Sequence, residues 1–142
     1  MRHASFAVAA LALAGAIAAA CSSTTSSNAC GSGTPPSVVG TYSLISYTFG
    51  GNTVDTTQGA SGQLRFHTGT YAFNVTIPVQ GAIADSGTYA INGTRCMTET
   101  SLMGSGSTTG SFTLSGTTPG SVFSFAGTNT LVGAVGFAGK KQ

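Results

Sequence analysis

The chain reads as an all-β protein. Past a pair of prolines its apolar residues recur with period two, turn residues interrupt them at intervals of roughly ten positions, and no later stretch carries a helical period. About eight short antiparallel strands joined by tight turns follow from this pattern. Such strands favour a small up-and-down β-barrel, because closure removes the exposed edges an open sheet must protect; a two-sheet β-sandwich remains the alternative.

The first expected strand, 38–49, places Val38, Tyr42 and Leu44 on one face and then changes phase to Ile45, Tyr47 and Phe49, which calls for a bulge near Leu44. The next, 63–67, alternates without a break: Leu64 and Phe66 face inward, Gln63, Arg65 and His67 outward. Across the Thr68-Gly69 turn, strand 70–77 carries Tyr71, Phe73, Val75 and Ile77 on one face and stops at Pro78. Strand 82–91 aligns Tyr89 with Ile91, and Asn92-Gly93 then signals a type I′ hairpin turn. The return strand, 94–102, carries Cys96. Three more complete the set: 110–115 with Phe112 and Leu114, 121–126 with Phe123 and Phe125, and 130–137 with Leu131, Val135 and Phe137.

Three segments follow: a leader at 1–20, a Ser/Thr/Gly/Pro tether at 21–37 and the β domain at 38–139. The leader has a short basic start, Arg2 and His3, and an apolar run from Phe6 to Ala20. As a helix its roughly 15 apolar residues rise about 22 Å, short of the roughly 30 Å hydrocarbon core, so an export signal is expected rather than a membrane span. Cys21 follows the apolar run and opens a polar tract, the layout of a lipoprotein signal in which the leader is removed and Cys21 carries the lipid. A lipobox usually has Leu, Val or Ile three residues before the cysteine, where this chain has Ala18. Ala18-Ala19-Ala20 also satisfies the small-residue rule of ordinary secretion. Either cleavage exports the chain. The expected location is the cell envelope, with a palmitate-type anchor in the outer membrane; a secreted or periplasmic protein is the alternative.

With Cys21 assigned to lipid, Cys30 and Cys96 are left to form a disulfide in an oxidising compartment, or to remain two free thiols. The charged residues are sparse: without the leader, four basic side chains (Arg65, Arg95, Lys140, Lys141) stand against three acidic ones (Asp55, Asp85, Glu99), a net charge of +1. That balance provides no electrostatic footprint for nucleic acid. Past the leader there is one histidine, His67, which argues against a metal site and against acid–base catalysis; no cofactor and no enzymatic activity are expected.

The run Val39-Gly40-Thr41-Tyr42-Ser43-Leu44-Ile45-Ser46-Tyr47 resembles the opening strand of bacterial lipocalin-like domains, which commonly begin Gly-Thr-Trp-x-Leu-x-Ser-Tyr. Phe66-His67-Thr68-Gly69-Thr70-Tyr71-Ala72-Phe73 and Ser86-Gly87-Thr88-Tyr89-Ala90-Ile91-Asn92-Gly93-Thr94 are similar to the repeated strand-turn phrases of that group, so the likeness spans nearly all of 38–138. Tyr42 stands where the family usually has the Trp that plugs one barrel end. The resemblance implies a small β-barrel whose interior has room for a small apolar ligand.

The interior side chains expected to meet such a ligand are Tyr42, Phe66, Tyr71, Phe73, Tyr89, Phe112, Phe123, Phe125 and Phe137. A packed core is the plainer reading of each aromatic. The competing function is a structural or protein-interaction lipoprotein of the envelope with a filled barrel, meeting a protein partner through loops such as 102–110.

Overall fold

Alternation at period two becomes one continuous antiparallel sheet that closes on itself. The computed structural model describes residues 29–142; the expected leader, Cys21 and the first part of the expected tether lie outside the described residues. The strands are β1 (Gly40–Phe49), β2 (Asn52–Asp55), β3 (Ser61–His67), β4 (Thr70–Ile77), β5 (Gly81–Asn92), β6 (Cys96–Ser101), β7 (Ser107–Leu114), β8 (Val122–Asn129) and β9 (Gly133–Lys141). They pair in the order β2-β1-β3-β4-β5-β6-β7-β8-β9, and a further β1–β9 pairing closes eight of them into a barrel. The barrel expectation therefore holds, and the sandwich is set aside.

One strand can serve three neighbours because β1 changes partner along one edge. Residues 40–43 pair with β3, residues 46–49 pair with β2, and the other edge pairs with β9 along most of its length. The expected bulge is present: the register with β9 shifts between Leu44 and Ser46. Ile45 is the extra residue and turns outward, 38% exposed, so it does not join the inward face assigned to it from the sequence. Beyond the bulge Tyr47 points inward again, buried in the core.

The two-residue turn of the kind expected at Asn92-Gly93 occurs elsewhere. The two-residue hairpin with positive φ at both central positions is Gly50-Gly51 (φ 57° and 83°), which folds β2 back onto β1. At the Asn92-Gly93 turn only Gly93 takes positive φ (62°), and the pairing of Asn92 with Cys96 leaves a loop of 93–95. The backbone N–H groups of Thr94 and Arg95 there donate to the Cys30 carbonyl at 2.8 and 2.9 Å. The segment before the barrel thus satisfies this loop, and a Cys30–Cys96 disulfide fixes it there (Cα–Cα 4.9 Å). That bond fits an oxidising compartment outside the cytoplasm. Among the described residues no helix is long and apolar enough to cross a membrane.

The strand directions define two barrel ends. At one end lie the loops at 68–69, 93–95 and 115–121, the chain's entry at Val38 and its exit at Lys141. This end is filled. Tyr42, Phe66 and Phe123 are at most 1% exposed, their rings 5.2 to 6.2 Å apart, and Phe112 stacks on Phe123 at 5.9 Å. The Tyr42 hydroxyl donates to the Val38 carbonyl at 2.8 Å, and Lys141 Nζ lies 5.9 Å from the centre of its ring while donating to the Val39 carbonyl. Tyrosine here closes the end with a hydrogen-bonded ring. The loops at 50–51, 78–80, 102–106 and 130–132 gather at the opposite end.

Candidate functional site

A cavity of about 280 Å³ occupies the barrel interior toward the second end. The nine aromatics expected inside divide by depth. Tyr71, Phe73, Phe125 and Phe137 line the cavity, whereas Tyr42, Phe66, Phe112 and Phe123 pack the filled end, and Tyr89 extends that packing with its ring 5.0 Å from Phe66. Further apolar wall comes from Tyr47, Leu64, Ile83 and Val135. Tyr47 and Phe73 meet across the barrel at 5.8 Å.

Two carboxyl groups share this lining, Asp85 of β5 and Glu99 of β6. Both face inward because they keep the phase of the apolar residues beside them: Asp85 lies two positions before buried Gly87 and four before Tyr89, and Glu99 lies two after buried Met97. Asp85 is 7% exposed and accepts three hydrogen bonds, from the Tyr71 hydroxyl (2.9 Å), the Ser101 hydroxyl (2.6 Å) and the Ser86 N–H (2.9 Å). A set made only of donors matches an acceptor-only, charged carboxylate. Burial pushes the Tyr71 phenol up, and its bond to Asp85 adds to this, so Tyr71 stays a donor.

Glu99 has no such shell. It pairs with Tyr89 on one side and Thr108 on the other. Burial, with the Asp85 charge as a second cause, pushes its carboxyl up from the ordinary 4.5 to about 7, and among the described residues no donor offsets this. Burial likewise pushes the Tyr47 phenol up to about 12, helped by Asp85 and Glu99.

A measurable pH dependence follows. The folded protein keeps a proton on Glu99 that the unfolded chain has released between about pH 4.5 and 7, so this contribution to stability is complete below the window and lost as pH rises through it. The loss is on the order of 3 kcal/mol at full effect. Urea unfolding at stepped pH is expected to show this decline in the native chain and a nearly level profile in Glu99→Gln; equal slopes in both would refute the assignment.

The mouth is held by polar side chains that the strand alternation also places inward. Asn129 Nδ2 donates to the Ser105 carbonyl and to Thr108 Oγ1, both at 2.9 Å, while its Oδ1 accepts from the N–H groups of Leu131 and Val132. This turn ends β8 and starts β9 only at Gly133. Leu131, expected within the last strand, is instead 67% exposed on the rim. Ser101 Oγ accepts from the N–H groups of Met103 and Ser105, so the loop at 102–106 hangs from the same hydroxyl that donates to Asp85. The stretch 102–110, expected as one long loop, is therefore a five-residue tied loop followed by the start of β7.

His67, the histidine past the leader, is exposed at the end of β3 and does not line the cavity. The lipid attachment expected at Cys21 lies outside the described residues. Comparison with protein-family models, with curated proteins and with solved structures finds no match for this chain.

Proposed function

We propose that this protein is an exported, lipid-anchored lipocalin-like binding protein whose barrel holds one small, largely apolar molecule. The observation that carries the reading is the open interior: about 280 Å³ walled by aromatic and aliphatic side chains beside a tightly filled opposite end. An apolar cavity of about 150 Å³ accepts benzene, so this one matches a ligand of roughly bicyclic size. The exposed apolar side chains of Val79, Leu102, Met103 and Leu131 all sit on loops at the mouth, where an apolar ligand would enter. A filled barrel acting through a protein partner is the rival, and the open interior weighs against it.

No catalytic step is proposed. A carboxyl near pH 7 suits a general acid, but the Asp85 beside it is committed to three hydrogen bonds, and among the described residues neither a histidine nor a cysteine lines the cavity.

Anchoring at Cys21 would limit the reach of one barrel end as well. Nine peptide steps separate Cys21 from Cys30, at most about 30 Å of extended chain, and Cys30 is bonded to the filled end. The end held within that reach of the bilayer is then the filled end and not the mouth.

Native mass spectrometry of the full protein extracted from its membrane tests the reading. The expected spectrum is a chain beginning at Cys21 with covalent acyl mass, plus a non-covalent mass that is released on activation and is absent from Ile83→Trp, whose indole fills the cavity. An empty barrel in repeated preparations, failing also to bind added naphthylmethanol, would return the function to a protein partner.

A further inference from the structure

We propose that the cavity selects a cationic amphiphile: a primary or secondary ammonium group on an aromatic or aliphatic body of about bicyclic size, its charge set against Glu99 and Asp85. This deepens the binding reading above and rests on it. A neutral apolar ligand requires only the aromatic wall; two carboxyl groups at the same interior add nothing to its binding and are costly to keep there without a counter-charge.

The charge balance of the site is one-sided. The titratable groups facing Glu99 are Tyr47 from β1, Tyr71 from β4, Asp85 and Tyr89 from β5; β7 offers it Thr108, and β8 and β9 line the cavity with Phe125, Asn129, Val135 and Phe137, none of them charged. Among the described residues no Lys, Arg or His lines the cavity, so none of them provides a cation to pair with either carboxyl group. Asp85 already has its donors, whereas Glu99 has none among the described residues, and burial with the Asp85 charge beside it makes its ionised form costly. An ammonium group supplies the missing partner. It donates to Glu99, feels the Asp85 charge at short range, and lays its positive face against the rings of Tyr47 and Phe73.

A metal ion fits less well. Among the described residues no group of three or more His, Cys, Asp and Glu side chains comes together, and two carboxyl groups fall short of the roughly six to eight oxygen ligands a hard cation such as calcium takes.

Three probes of similar size decide the matter on the full chain by calorimetry: naphthylmethylamine (cationic), naphthylmethanol (neutral) and naphthoate (anionic). At pH 8 the amine is expected to bind at least tenfold more tightly than the alcohol, and naphthoate more weakly than either. Lowering the pH from 8 to 5 is expected to shrink the amine-to-alcohol ratio several-fold, because Glu99 then takes its proton from solvent rather than a bond from the ligand. In Glu99→Gln the ratio at pH 8 is expected to fall at least fivefold, whatever the absolute affinities. Alcohol binding with no preference for the amine, or a ratio unmoved by both pH and Glu99→Gln, overturns the ammonium proposal while leaving the carrier reading standing. Failure of all three probes overturns both. Calcium that displaces the amine one for one would reassign the carboxyl pair to a metal and likewise end the proposal.

Discussion

Phe123→Ala is expected to lower the unfolding free energy by about 4 kcal/mol, toward the upper end for truncation of a core aromatic. Phe123 has no solvent exposure and is the hub of the filled end: its ring centre lies 5.4 Å from Tyr42, 5.2 Å from Phe66 and 5.9 Å from Phe112. Truncation removes the transfer free energy of the ring and three aromatic contacts at once. The hole cannot collapse easily, because the neighbouring strands belong to a closed barrel with no free edge to slide on. For a domain of about this size the loss corresponds to a midpoint drop of roughly 20 °C. Urea titration followed by tyrosine fluorescence measures it, and a change under 1 kcal/mol would show that the four rings do not act as the barrel's plug. Phe125→Ala provides the contrast. Its position lies two residues farther along β8 and faces the existing cavity, where truncation enlarges a space already open, so a smaller loss is expected.

That contrast marks the boundary of what the sequence reveals. The alternation of Leu64 and Phe66, or of Tyr71, Phe73, Val75 and Ile77, identifies strands and their inner faces without help from tertiary structure, and their burial follows it. Depth along the barrel axis is another matter. Phe123 and Phe125 share one strand and one face, yet one plugs the barrel and the other lines its cavity, because depth depends on the stagger between strands. Turn residues and apolar periodicity do not encode that stagger.

Asp85 and Glu99 were within reach. Continuing the Tyr89 and Ile91 phase back through Gly87 brings Asp85 inside, and stepping from Met97 by two brings Glu99 inside; the same step from Phe112 through Gly110 and from Phe125 through Gly127 reaches Thr108 and Asn129. An apolar count passes over them because a strand's phase is usually read from its hydrophobic members alone. Strand β2 had no comparable signal. Asn52-Thr53-Val54-Asp55 contains one apolar residue and is half exposed, and it forms because the Gly50-Gly51 turn delivers it to an edge of β1 that β3 has left. The short 3-10 helix Thr56–Gln58 that follows is locally encoded: Asp55 caps it, accepting from Thr57 and Gln58, and these bonds hold its carboxyl below the usual range.

Replacing both Cys30 and Cys96 by serine is expected to produce an effect nearly as large as Phe123→Ala but confined to stability. The bond closes a loop of 66 residues that contains β1 to β5, and loop-closure entropy for that length amounts to about 4 kcal/mol. Part of this is returned, because without the bond the segment before Val38 is no longer obliged to order. Its two hydrogen bonds from Thr94 and Arg95 to the Cys30 carbonyl then compete with water, and a net loss of about 3 kcal/mol is expected. The cavity lies at the other end of the barrel, and neither cysteine contributes to its lining. Ligand affinity below the new unfolding midpoint should therefore stay within twofold of the native value, measured with the naphthyl probes at the same pH. Stability that does not change when the native protein is reduced would show the bond to be idle. Affinity that falls together with stability would show instead that the filled end and the mouth are mechanically coupled, contrary to the division of the barrel into a rigid plug and an independent binding chamber.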